Sequence, residues 1–203
     1  MDFQTWLIYA LAATGLSLSP GPNGLLALAH GALYGRRRAL YTVAGGSLGF
    51  VLIIALSLFG IGALLQTSLM WLTVLKWVGG AYLVWLGVQV WRSPPIGLEP
   101  VAAAEGRSNG SLFRQGALSA ITNPKGILFF AAFLPQFIDP QRSLVLQFVV
   151  MAGTFAAIEF ATEVFIASVA HRLSRWLARV GRAFNKACGG VFMAIGAALP
   201  LRS

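Results

Sequence analysis

Long apolar stretches constrain this chain more than any other feature of its sequence. A helix rises about 1.5 Å per residue, so about 20 consecutive apolar residues are needed to cross the hydrocarbon core of a membrane. Windows close to that length occur at residues 3–30, 40–65, 69–91, 115–135, 144–169 and 183–201. The sequence therefore predicts an all-α integral membrane protein with six transmembrane helices.

The composition agrees with a membrane protein and excludes several other classes. Hydrophobic residues make up 57% of the chain and charged residues only 10%, against roughly 25% charged residues in soluble domains. The single cysteine, Cys188, cannot form an internal disulfide and has no partners for a zinc site. We expect neither a metal nor a cofactor. Because the first lysine or arginine is Arg36, the first window is interpreted as a retained span, not a signal peptide.

The basic residues lie mostly on one side of the predicted helices, which sets the orientation. Cytoplasmic loops of membrane proteins carry the excess of lysine and arginine, so both termini are predicted to face outward. The net charge of +9 then reflects topology and contact with anionic lipids, not nucleic acid. The basic residues assigned to the cytoplasm are Arg36, Arg37, Arg38, Arg92, Arg107, Arg114, Arg172, Arg175, Arg179, Arg182 and Lys186, against Arg142 and Arg202 outside.

A polar segment divides the single transporter domain into two halves. Residues 92–114 are rich in proline, glycine and serine and predict a cytoplasmic linker between 1–91 and 115–203. Each half has three spans, so a structural repeat would have to be inverted in the membrane. The third and sixth spans share a Lys-x-x-Gly-Gly pattern, at Lys76 and Lys186. The alternative is a coincidence in a glycine-rich chain.

Two of the spans contain proline breaks beside an asparagine. Prolines remove backbone donors and displace the preceding residue from helical angles, so helices 1 and 4 are predicted to be broken. Broken helices persist in membranes where protein or a water-filled cavity satisfies the backbone; the structural alternative is a simple kink. The candidate substrate-binding residues are Ser19, Pro20, Gly21, Pro22, Asn23, Asn123, Pro124 and Lys125.

Three charged residues lie deep within the apolar windows. A cation at the depth of Lys125 costs about 3 kcal/mol, which a neighbouring carboxylate, an exposed carbonyl at the break or an anionic ligand must offset. Glu159 and Glu163 are four residues apart and share one helical face. Two close carboxylates repel each other, so one of them is expected to retain a proton near neutral pH. The pair is therefore a candidate for proton coupling. The alternative is an ion pair with Lys125 or Lys76 that only joins helices.

Several motifs together resemble one family. These are the break at Ser19–Asn23, the turn Gly35-Arg36-Arg37, residues 75–87, and Thr122–Lys125 leading to Phe133–Phe137. Their order and spacing are similar to those of the lysine-exporter (LysE) superfamily, in its homoserine/threonine (RhtB-type) branch. The resemblance implies export of amino acids or their derivatives across a bacterial inner membrane, driven by the proton gradient.

The resemblance also shows where this chain departs from the family. Glu159 falls where relatives similar to the homoserine exporter carry an acidic residue. Phe50 stands where many members have an acid, Ile166 replaces a common tyrosine, and Glu163 is an addition. These departures leave open the exact substrate and which of the two acids carries the proton.

We hypothesise a midplane site between the halves. Amides that follow Gly24, with Lys125, would attract a substrate carboxylate, and Glu159 would face its ammonium group. This arrangement favours neutral substrates such as homoserine, homoserine lactone or threonine. Export of a basic amino acid or another small solute, an uncoupled channel and a membrane-embedded enzyme are the alternatives. An enzyme is disfavoured because the sequence shows no catalytic constellation. Whether the chain forms a homodimer stays open.

Overall fold

The described part of the protein is helical throughout its regular structure. This computed structural model describes residues 1–19, 21–65, 70–92, 107–169, 182–183, 186–187 and 189–198. The all-α prediction is confirmed for these ranges. The helices are α1 (Phe3–Leu18), α2 (Pro22–Leu65), α3 (Met70–Arg92), α4 (Asn109–Ile121), α5 (Pro124–Phe133), a 3-10 turn (Leu134–Gln136), α6 (Leu144–Ser168) and α7 (Gly189–Ala198).

Side-chain caps fix where three of these helices begin. A carboxylate oxygen of Asp2 accepts a hydrogen bond from the Thr5 amide at 2.9 Å. Ser108 and Ser143 cap α4 and α6 in the same way, by accepting from amides three residues later. Aspartate and serine stabilise this position because their oxygens satisfy an amide that has no partner within the helix.

Helix α2 turns back on itself at Gly35. An uninterrupted helix of 44 residues would be about 66 Å long, roughly twice the thickness of a membrane core. Gly35 instead has φ 75° and ψ 165°, a conformation essentially restricted to glycine. His30 Nδ1 lies 2.7 Å from Thr42 Oγ1 across the turn. Residues 22–34 (α2a) and 36–65 (α2b) therefore form an antiparallel hairpin, with a turn where the basic Gly-Arg-Arg motif was identified.

Three helical segments of the described residues are long and apolar enough to cross a membrane, namely Pro22–Ala63, which contains the hairpin at Gly35, Thr73–Arg92 and Leu144–Ser168. A fourth span arises if Asn109–Ile121 and Lys125–Gln136, which meet at 52°, count as one. Helices α1 and α7 are apolar but shorter. The six-span count, the inverted repeat and the division into two halves stay predictions, and most of the linker lies outside the described residues.

Polar and apolar side chains are distributed as in a membrane protein. Leucines such as Leu11, Leu56 and Leu146 are at least 60% exposed, whereas Glu159 and Glu163 are only 4% and 1% exposed. This pattern is the reverse of a soluble protein, since apolar side chains face lipid and ionisable groups are kept inside the bundle.

Small residues let the helices approach closely enough to enclose these polar groups. A Cβ atom placed on Gly45 of α2b would overlap the carbonyl oxygen of Phe113 in α4, and one on Gly116 would overlap that of Thr42. The two glycines thereby allow α2b and α4 to pack in direct backbone contact. The contact holds the hairpin against the helix that leads into the second break.

Candidate functional site

The two helix breaks predicted by the prolines are present. Helix α1 ends at Leu18, and α2a begins at Pro22, with the Leu25 amide donating to the Gly21 carbonyl at 3.0 Å. Helix α5 begins at Pro124, and the side-chain oxygen of Asn123 accepts from the Lys125 amide at 3.1 Å. Proline suits the first helical position because its missing donor would have no partner there. Pro20 lies outside the described residues.

Lys125 connects one break to the other. Its ammonium Nζ donates to the hydroxyl Oγ of Ser19 at 2.8 Å and to the Ser19 carbonyl at 3.2 Å. A Cβ atom on Gly21 would lie 3.8 Å from Nζ, so the glycine is in close contact with the ammonium group. Of the three sources expected to stabilise Lys125 at depth, the structure shows the exposed carbonyl at the break, and it places the carboxylate of Glu159 near enough to interact with the ammonium charge.

The two acids of α6 have different surroundings on the same helical face. Asn23 Nδ2 donates to Glu163 Oε1 at 2.6 Å, whereas Glu159 lines a cavity beside Lys125. In the described part of the chain, Glu159 Oε2 and Glu163 Oε2 have no hydrogen-bond partner. A surface salt bridge joins Arg142 to Asp139 at 3.0 Å.

The cavity lies where the breaks meet α6. Water-sized molecules can occupy about 20 Å³ of it, which is room for one water. Of the predicted residues, Ser19, Gly21, Asn23, Asn123, Lys125 and Glu159 line it. Glu163 does not reach the cavity, and neither does Pro22. The remaining lining residues are Leu16, Ser17, Gly24, Phe50, Gly126 and Phe155.

Leu16, Phe50 and Phe155, which sequence reasoning did not place in the site, form its apolar wall. The ring of Phe155 packs against Phe50 with centroids 5.3 Å apart, and a Cβ atom on Gly126 would lie 2.9 Å from Phe50 Cε1. Phe155 and Leu16 lie one helical turn or nearly so before Glu159 and Ser19, so helical spacing was the available signal. Phe50 was noted only as a departure from the family.

The cavity lining carries charged groups of both signs, a positive pole and one carboxylate. Lys125 and the N-terminal ends of α2a and α5 supply positive potential, because helix N-termini carry partial positive charge. Glu159 supplies a carboxylate, and the side chains of Ser17 and Asn123 add neutral polar groups. Such a cavity is complementary to a small zwitterion. Within the described ranges, no group of three or more His, Cys, Asp or Glu residues is placed to hold a metal ion.

Comparison with known proteins shows which family and which relatives this chain resembles. Residues 14–203 match the family model described as LysE type translocator. The chain is 36% identical to the homoserine/homoserine lactone efflux protein of Salmonella typhimurium, over 98% of this chain and 97% of the relative. An uncharacterized membrane protein of Vibrio cholerae is 37% identical, with 97% and 96% covered. The leucine efflux protein of Enterobacter sp. is 28% identical, with 83% and 81% covered. No solved structure matches.

Proposed function

The chain belongs to the LysE type translocator family, and we propose that it exports homoserine, homoserine lactone or a similar neutral amino acid across the bacterial inner membrane in exchange for protons. Membership of this family makes it a transporter and not an enzyme. The observation that carries the proposal is that Lys125 and Glu159 line one cavity between two broken helices. The relatives are named for efflux of homoserine, its lactone or leucine. Homoserine and leucine are zwitterions without net charge, and the lactone carries an ester carbonyl in place of the carboxylate.

The substrate carboxylate binds at the positive pole of the cavity. Lys125 and the N-terminal end of α2a attract it, and a Cβ atom on Gly24 would have no other atom within 4 Å, which leaves open space at that helix end. The ammonium group faces Glu159. A substrate hydroxyl or carbonyl can bond to Ser17 or Asn123, whose side chains line the same cavity.

The size of the cavity requires the helices to move during transport. Room for one water is too little for an amino acid, so binding and release need the walls to separate. The two breaks concentrate that motion, because a broken helix can tilt about its non-helical residues without losing further hydrogen bonds. Export follows when the cavity opens alternately to the two sides of the membrane.

The proposed topology has six spans and an inverted repeat. The hairpin at Gly35 supports separate first and second spans. Gly80 approaches Gly196 closely, and Gly87 approaches Gly189, so α3 and α7 cross in opposite directions. The centre of this crossing lies near residues 83 and 193. That offset of about 110 residues equals the offset between Lys76 and Lys186 in the shared pattern, as a two-fold relation between the halves requires.

The basic side of the bundle is proposed to face the cytoplasm, where it contacts anionic lipids. In support, Arg38 at the hairpin turn donates to the Arg107 carbonyl, and Arg107 donates to Gln115. These contacts bring two of the basic segments to one end of the bundle. The other end holds Gly62 of α2b, on which a Cβ atom would overlap Leu144 at the start of α6.

The proposal is tested by efflux from proteoliposomes loaded with homoserine under an imposed pH gradient. Hydrogen bonds to charged groups contribute about 1.5–3 kcal/mol, so Lys125→Met and Glu159→Gln should each slow efflux about tenfold or more. Arg142→Gln, which removes an exposed charge far from the cavity, is the matched control. If both cavity variants transport at the wild-type rate, the site assignment is wrong.

The same assay separates the alternative functions. An efflux rate that does not depend on the pH gradient would indicate an uncoupled channel. A preference for lysine or arginine over homoserine would indicate a basic cargo. A solute that leaves the vesicles chemically altered would contradict the assignment as a transporter.

A further inference from the structure

The two acids of α6 differ in what lies beside them. Glu159 lines the cavity together with Lys125, and its carboxylate interacts with the ammonium charge. Glu163, one turn further along the helix, is 1% exposed and lies outside the lining. Its neighbours include the amide of Asn23 and the carboxyl group of Glu159. The two acids are therefore in direct contact, with the cation on the side of Glu159.

The charges of this cluster balance when one of the two acids is protonated. Lys125 supplies one positive charge, and the two carboxyl groups are 4% and 1% exposed. An ionised group buried without a compensating charge costs several kcal/mol, and two carboxylates in contact disfavour each other's ionised form. The carboxylate beside the cation is the one that stays ionised, because an opposite charge favours the charged form. The proton then belongs to Glu163.

The hydrogen bonds around Glu163 leave a place for that proton. Asn23 Nδ2 donates to Glu163 Oε1 at 2.6 Å, while Asn23 Oδ1 and Glu163 Oε2 have no hydrogen-bond partner among the described residues. Buried polar atoms without partners are rare in native structures. A proton on Oε2 can donate to Oδ1 while the bond to Oε1 stays in place, so one proton satisfies both atoms. The carboxylic acid and the amide are then joined by two hydrogen bonds.

We propose that Glu163, and not Glu159, holds the exchangeable proton of this protein, in a pair of hydrogen bonds with Asn23. Displacement of this proton by substrate rests on the proposed function. An ammonium group that reaches Glu159 brings positive charge next to Glu163, which favours the ionised carboxylate. The O–H bond of Glu163 then breaks, and the proton leaves to water that enters as the cavity opens. Asn23 Nδ2 keeps its bond to Oε1 in both states.

This division of roles between the acids couples the two binding events. Glu159 remains ionised and binds the substrate, while Glu163 binds the proton, so each event weakens the other without competing for the same oxygen atoms. Opposition of this kind is the thermodynamic requirement for antiport. Gly46 of α2b makes room for the pair, because a Cβ atom there would overlap the Asn23 amide.

The other titratable groups near the pair are engaged elsewhere. On α5, Lys125 is bound to the break in the first span. On α2a, His30 is hydrogen-bonded at the hairpin turn, and on α1 the Tyr9 hydroxyl donates to a backbone carbonyl of α6. Among the described buried residues of α1 and α2b, Ser17 and Ser47 contribute hydroxyl groups, which do not titrate near neutral pH.

The test locates the proton by infrared spectroscopy of the purified full-length protein near neutral pH. A protonated carboxylic acid has a C=O stretching band that a carboxylate lacks, and its frequency differs between glutamic and aspartic acid. Removing either acid changes the charge balance of the cluster, so the decisive variants keep a carboxyl group at both positions. Glu163→Asp should shift the band of the unliganded protein, whereas Glu159→Asp should leave it in place.

Three further variants check the hydrogen bonds of the acid. Glu163→Gln should abolish the band, and it is expected to fold because its amide can form both bonds to Asn23. Asn23→Leu should move the band to higher frequency, since a C=O group that accepts no hydrogen bond vibrates faster. Asp139→Asn removes an acid on the surface and is the matched control, with an unchanged band.

The outcomes separate the location of the proton from the proposed function. A band that shifts in Glu159→Asp and not in Glu163→Asp, that persists in Glu163→Gln, or that is absent from the wild type would overturn the inference. None of these measurements needs a substrate. Added homoserine should then reduce the wild-type band, because binding displaces the proton. A band that follows Glu163 but does not respond to homoserine would contradict the proposed exchange for this substrate and support the location of the proton.

Discussion

At the residue scale, Lys125 shows how a cation can be stable inside an apolar bundle. The sequence indicates that such a charge needs a partner and leaves three kinds open: a carboxylate, an exposed backbone carbonyl or an anionic ligand. In the structure, the carbonyl and hydroxyl of Ser19, a residue 106 positions away, accept hydrogen bonds from Lys125. That choice depends on how the second break packs against the first, and sequence patterns do not specify this packing. The requirement is therefore predictable from local chemistry, but the partner is not.

Phe50 defines the apolar wall of the cavity, and its size should limit the substrate. Phe50→Leu removes ring volume beside Gly126 and Phe155 while keeping an apolar side chain. We expect leucine to compete with homoserine more strongly in this variant, by about fivefold or more, since one methylene group of pocket space changes binding by about 1–3 kcal/mol. Competition by leucine in the vesicle assay measures this.

The matched control is Phe59→Leu on the same helix. Phe59 is 41% exposed and packs against Phe148 on the outer surface, so its replacement should not change substrate preference. Equal competition profiles for Phe50→Leu and the wild type would show that Phe50 does not limit the bound substrate.

At the element scale, the breaks were the most predictable part of the fold. Prolines and an adjoining asparagine stop helices through local geometry, and α2a and α5 begin at Pro22 and Pro124 as this rule requires. The contact between Asn23 and Glu163 spans 140 residues and is decided by helix packing. Such tertiary contacts explain why the separate environments of the two acids could not be derived from their spacing alone.

The hairpin of α2 depends on the backbone conformation of Gly35. Gly35→Ala forces a Cβ onto a backbone with positive φ and extended ψ, which should destabilise the protein by about 1–3 kcal/mol. We expect a lower midpoint of thermal unfolding in detergent. Gly153→Ala, in helix α6 with open space around its Cβ position, should be neutral or slightly stabilising. An unchanged midpoint for Gly35→Ala would contradict the hairpin geometry.

At the scale of the whole molecule, the charged residues fall into two groups with separate roles. Basic residues near the ends of helices are proposed to set the orientation, while Lys125, Glu159 and Glu163 lie together at the junction of the breaks with α6. Apolar windows were sufficient to predict a helical membrane protein, while the count of six spans stays a prediction. They could not predict how tightly the breaks close around the site, because this depends on glycine contacts such as Gly45 with Phe113.

The proposed orientation predicts which loops an impermeant thiol reagent can reach. In a Cys188→Ser background, Arg142→Cys should be labelled in intact cells, because its loop faces outward. Arg37→Cys, in the hairpin turn, should be labelled only after the membrane is permeabilised. The reverse pattern would invert the topology, and labelling of both positions in intact cells would contradict the span assignment.

The central claim is that one cavity binds a neutral amino acid between Lys125 and Glu159 and that this binding displaces a proton. It is tested most directly by calorimetric titration of the purified protein with homoserine in buffers of different ionisation enthalpy, which counts the protons released on binding. The account predicts binding with net proton release by the wild type near neutral pH and affinity about 10- to 100-fold weaker in Lys125→Met. Equal affinity in the two proteins, or binding without proton release, would contradict it.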